Sequence, residues 1–108
     1  MKNQIQEQAP LKKYHMKLFV SGNDKNSREA RRSLEKLCES QPQGTFELKI
    51  IDVFKDFTAA LENNVLVAPT LVITSPGAHS EPLTFVGSLN DISKVCKAIG
   101  VSAKGGVP

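Results

Sequence analysis

Two cysteines, two histidines and a group of three arginines are the side chains of this 108-residue chain whose types and spacing bear on a possible activity. Redox or nucleophilic work by sulfur requires a thiolate, which proteins stabilise at a helix N-terminus or within a Cys-x-x-Cys pair. Cys38 and Cys96 meet neither condition. Each instead completes an apolar helical stripe, Ala30, Leu34, Leu37 and Cys38 in one case and Ile92, Val95, Cys96 and Ile99 in the other. Both read as buried structural thiols, and no disulfide between them is expected in a reducing compartment. His15 and His79 lack ligand spacing to each other or to a cysteine, so no metal site is expected. Arg28, Arg31 and Arg32 fall in the opening turns of a helical segment, where the macrodipole disfavours cations. Glu35 offsets Arg31 at i, i+4. The three arginines read either as a solvated face or as a surface, with Arg28 in it, that meets an acidic partner; Lys49 and Lys55 are candidates to extend it.

The elements that must position these groups can be read in order. Pro69 stands directly before the β-branched run Thr70-Leu71-Val72-Ile73. Proline cannot donate to a sheet ladder, so Pro69 marks the entry to a strand, and a cis bond is expected there. Upstream, Lys17-Leu18-Phe19-Val20 forms a short strand followed by the turn Ser21-Gly22-Asn23. A helix starts at Asn26 or Ser27, with Glu29 completing a capping box after Asn26, and ends near Ser40 before Pro42 and Gly44. The alternation of Phe46, Leu48 and Ile50, continued by Ile51 and Val53, gives a strand over residues 46 to 53. The crossover helix makes it parallel to the first. A weaker helix covers Phe57 to Asn63, started by Asp56 or Thr58, with Asn63-Asn64 as a left-handed exit. Residues 70 to 74 and 83 to 86 pair antiparallel around Ser75-Pro76-Gly77, and Asp91 to Ile99 is the last helix.

The order βαβαββα is that of an α/β, thioredoxin-like fold in a single domain over residues 14 to 100, with a mobile arm at 1 to 13 and a flexible tail at 101 to 108. In thioredoxins the first strand-to-helix turn carries Cys-x-x-Cys. Here that turn, Ser21 to Ser27, has no cysteine. The scaffold without its usual chemistry points to a binding protein and not an enzyme. No glycine-rich phosphate loop follows the first strand, so no nucleotide cofactor is expected. Composition supports the same class: 40% hydrophobic and 23% charged residues are ordinary for a globular chain, and a formal net charge of +3 with no Trp argues against nucleic acid as partner. No signal-peptide h-region or run of about 20 apolar residues is present, so no membrane segment is expected and the chain should be cytoplasmic.

Four blocks resemble the KaiB family. Lys17 to Asn23 with Asn26-Ser27 and Ala30 looks like the opening of KaiB proteins, and Gly44 to Lys55 is similar to their second-strand block. Leu66 to Leu71 resembles their Leu-Ala-Thr-Pro-Thr-Leu, and Gly87-Ser88-Leu89 with Asp91 resembles the Gly-Asp-Leu-Ser-Asp that opens their last helix. The resemblance implies a non-catalytic adaptor for a KaiC-like ATPase ring, with a KaiA-like protein or a histidine kinase as further partners, acting in circadian timing or stress adaptation. It implies partner contacts at Gly22, Asn23, Arg28, Lys49 and Asn64, the last replacing a common family lysine. It also implies a second, tetramer-forming fold state besides a thioredoxin-like monomer or dimer. Ala98 and Gly100 align with the family's Gly-Leu-Asp-Leu segment. Alanine is about 1 kcal/mol better than glycine within a helix, so these positions should favour the thioredoxin-like state. The alternatives are a sensor domain like that of SasA, which is fused to a kinase where this chain is expected to stand alone, and a degenerate thioredoxin without redox activity.

Overall fold

The computed structural model describes residues 13–76, 81–89 and 92–100. The arm up to Lys12, the tail from Val101, and the readings placed on Gly77, His79 and Asp91 lie outside the described residues. Among the described residues seven elements follow one another: β1 (Tyr14–Val20), α1 (Lys25–Glu39), β2 (Phe46–Asp52), α2 (Phe57–Glu62), β3 (Thr70–Thr74), β4 (Leu83–Val86) and α3 (Ile92–Ile99). The four strands form one sheet in the order β2-β1-β3-β4. β1 runs parallel to β2, with Lys17 opposite Lys49, and antiparallel to β3, which pairs antiparallel with β4. This is the expected thioredoxin-like topology, and the bond between Ala68 and Pro69 is cis as expected.

Alternation along the strands sends side chains to two faces. On one face, Met16, Leu18, Leu71 and Ile73 pack against Ala30, Leu34 and Leu37 of α1 and Val95, Cys96 and Ile99 of α3. The hydroxyl of Tyr14 donates to the carbonyl of Ile99 at 3.0 Å, fastening the end of α3 to the start of β1. On the other face, Phe19, Ile51 and Val72 meet Ala60 of the short α2.

Four boundaries differ from the sequence reading, the smallest being α2, which ends at Glu62 with Asn63 as its C-cap. β1 begins at Tyr14, three residues earlier, because its register continues to Tyr14 opposite Phe46, where the two rings lie 5.5 Å apart. β2 ends at Asp52, since Val53 is already in a turn although its N–H still donates to the Val20 carbonyl at 2.8 Å. The cap of α1 is Asp24, whose Oδ1 accepts from the Ser27 N–H at 2.7 Å. Asn26 and Ser27 therefore lie inside the helix. Ser27 is buried, and its Oγ accepts from the Ser21 N–H at 3.1 Å, which leaves it unable to serve as the cap. The expected stop of α3 holds: Gly100 follows with φ +77°, a left-handed value that suits glycine, while Ala98 is exposed on the last turn.

Candidate functional site

Three loops converge at the end of the sheet where β1 and β2 terminate. The first, Ser21 to Asp24, is built from its own polar side chains. Ser21 Oγ donates to Asp24 Oδ2 at 2.5 Å while Asp24 caps α1. The Ser21 hydroxyl, followed by the Ser27 N–H and hydroxyl, holds the Asp24 carboxyl below its ordinary 3.8. The second loop follows β2 and is organised by Asp52, whose Oδ1 accepts from the Phe54 N–H at 2.9 Å and from the Gly22 N–H at 3.3 Å. Gly22 has φ +61°, and a side chain there would meet the Phe54 ring at 3.7 Å. The third loop, Val65 to Pro69, leads into β3 and is fixed where Thr70 Oγ1 donates to the Val67 carbonyl at 2.7 Å.

This loop end carries five of the seven large apolar side chains exposed among the described residues, Leu83 and Val86 of β4 being the others. Phe54, Phe57, Leu61, Leu66 and Val67 are 77%, 66%, 57%, 91% and 54% exposed. Most of them border a groove of about 280 Å³ floored by Ala60 and Val65. Sequence reasoning missed this rim because it assigns apolar residues to the core. A signal was present: α2 offers Ala59 and Ala60 toward the sheet, so Phe57 and Leu61, one turn apart, cannot also point inward.

The expected contact residues are only partly gathered. Gly22 and Lys49 line one recess along the outer edge of β2, together with Arg31, Lys55, Asp52 and Asp56. Of the three helix arginines, Arg31 lines this recess with Lys49 and Lys55, and it is held to Glu35 at 3.2 Å, as the i, i+4 spacing predicts. Arg28 and Asn23 are exposed nearby in sequence, and Asn64, exposed with φ +58°, follows α2 and lines neither the recess nor the groove. Lys49 and Lys17 stand opposite each other on the sheet face that α2 leaves open, beside His15 and Glu47, which pair at 3.2 Å.

The thiols lie elsewhere. Cys96 is buried in the α1/α3 core, but Cys38 is only half-buried, at the edge of the same cluster, because it sits near the end of α1. Desolvation pushes both thiols up, assisted at Cys38 by Glu35 and Glu39. A raised thiol holds little nucleophilic thiolate at neutral pH. Among the described residues no three His, Cys, Asp or Glu side chains are grouped to hold a metal ion. No helix among them is long and apolar enough to cross a membrane.

The topology and the cysteine-free first turn define a thioredoxin-fold domain that lacks the dithiol of that fold's oxidoreductases. The solved structure of chloroplastic thioredoxin z resembles it with a TM-score of 0.69 at 21% identity, covering 82% of this chain and 79% of the other, a likeness of fold alone. The KaiB domain matches residues 17–98, and this chain belongs to the KaiB family. A circadian clock oscillator protein KaiB of Trichodesmium erythraeum is 40% identical over 88 residues, 81% of this chain and 82% of that protein. Circadian clock oscillator protein KaiB1 of a Synechocystis species is 39% identical over 88 residues, 81% of each.

Proposed function

We propose that the chain is a non-catalytic, cytoplasmic adaptor that binds a KaiC-type hexameric ATPase and modulates its activity or phosphorylation state, in circadian timing or stress adaptation. The observation that carries this reading is the family match over residues 17–98 with clock-named relatives. A KaiA-like protein or a histidine kinase is the further partner that the reading admits; nucleic acid and membrane are not.

The contact is assigned to Gly22, Asn23, Arg28, Lys49 and Asn64. Support for its basic side comes from Lys17 and Lys49, directly opposed in the parallel register of β1 and β2. Like charges facing across strands cost stability, so an acidic partner surface would relieve a repulsion already present in the free chain. The test is binding of the full chain to a purified KaiC-type ring. Lys49→Glu is expected to weaken association by about tenfold or more, as reversal of an interfacial charge does. Equal affinities for Lys49→Glu and wild type across a range of salt remove Lys49 from the contact, and no binding by wild type removes the reading.

A further inference from the structure

The basic recess at the edge of β2 also contains two acids. Asp52 and Asp56 line it together with Arg31, Lys49 and Lys55, and among the described residues neither acid forms an ion pair with any of the three cations. Their charges oppose an acidic partner, so a surface shaped by charge alone has no use for them. Asp56 is occupied as the cap of α2, where its Oδ1 accepts from the Ala59 N–H at 3.1 Å. Asp52 makes a wider set of bonds. Its Oδ1 accepts from the Phe54 N–H at 2.9 Å and from the Gly22 N–H at 3.3 Å, while its main-chain carbonyl accepts from the Lys55 N–H at 3.0 Å and the Asp56 N–H at 2.8 Å.

These bonds set one part of the assigned contact against another. Gly22 and Asn23 lie on the turn after β1, and Lys55 lies on the turn after β2. Gly22 is half-buried with φ +61°, in the left-handed region, and a Cβ there would meet the Phe54 ring at 3.7 Å, so the ring stands beside the turn. Glycine lets the chain take this conformation, but it also has the most backbone freedom to lose when a partner binds. A hydrogen bond made before the partner arrives removes part of that loss. The contribution of Asp52 to binding is then geometric, and the two effects of removing it have opposite signs. Losing its charge favours an acidic partner, whereas losing its bonds disfavours any partner that needs the turn in place.

We infer that Asp52 is a positioning residue of the partner contact, holding the turn that carries Gly22 and Asn23 in place beside Lys49 and Lys55. This role, which rests on the ATPase reading, is tested by binding of the full chain to a purified KaiC-type ring at low and high salt. Wild type, Asp52→Ala, Asp52→Asn and Lys49→Glu are compared, and amide exchange is followed by NMR on the free chains. Asp52→Ala is expected to weaken association about tenfold, and equally at both salts, since screening acts on charge and not on geometry. Asparagine keeps an acceptor oxygen without the charge, so Asp52→Asn should bind within about twofold of wild type or more tightly. In the free wild type the Gly22 and Phe54 amides should exchange at least about tenfold more slowly than unstructured amides. Asp52→Asn should keep most of that protection and Asp52→Ala should lose it. If Asp52→Ala binds as wild type does while Lys49→Glu is weakened, the positioning role falls and the ATPase reading stands. Asp52→Asn binding as weakly as Asp52→Ala also overturns the role. So do unprotected Gly22 and Phe54 amides in wild type, a result that counts even where Asp52→Ala does not fold. No binding by wild type removes the ATPase reading and this role with it.

Discussion

The two faces of the sheet are covered by helices of very different length. On one, the 15-residue α1 and the 8-residue α3 close over the strands. On the other, the 6-residue α2 is the only helix among the described residues. Six residues of helix span about 9 Å, whereas seven residues of strand span about 23 Å, so α2 can shield only one end of the sheet. Phe19, Ile51 and Val72 lie under it, while His15, Glu47 and Lys49 on the same face remain exposed. One face therefore holds the fold together, and the other is left to make contacts.

The largest expected effect lies on the closed face. Leu34 is fully buried between α1 and the sheet, and Leu34→Ala should cost about 2–5 kcal/mol in urea unfolding, from lost transfer energy and the cavity left behind. The smallest stability effect belongs to the rim of the open face, where Leu66→Ser should change stability by less than about 0.5 kcal/mol. Comparable costs for the two substitutions would erase the distinction between a closed structural face and an open contact face. Between them in kind stands a pH effect at the first turn. The folded-state pKa of Asp24 lies below its ordinary 3.8, so the stability contributed by its ionised form is complete above that value and is lost as pH falls through the lower folded value. Asparagine caps a helix as well as aspartate but carries no charge. Asp24→Asn should therefore leave neutral-pH stability nearly unchanged and flatten the acid limb of a stability profile below pH 3.8.

Much of this architecture was legible in the residues themselves. Pro69 and the β-branched run after it fixed β3, and the turn residues around Pro76 fixed its partner, because both signals are local and strong. The cap of α1 was misread because Asp24, Asn26 and Ser27 are all competent caps; the burial of Ser27 removes one, and the bond from the Ser27 N–H to Asp24 selects Asp24 over Asn26. The charged recess was half legible. Arg31, Lys49 and Lys55 could be singled out by type, but their meeting at one edge depends on β2 being an outer strand. The apolar rim was not found, since periodicity reports which residues share a side of a helix and is silent on whether that side faces the sheet.

Asp52 binds the amides of Gly22 and Phe54 through a single carboxylate oxygen. Two loops separated by a whole helix in sequence thus hang from one atom. Freeing one amide leaves that oxygen wholly to the other, whereas a displacement of the Asp52 side chain releases both at once. A ligand that shifted Asp52 would therefore disturb the first turn and the loop that carries Phe54 together.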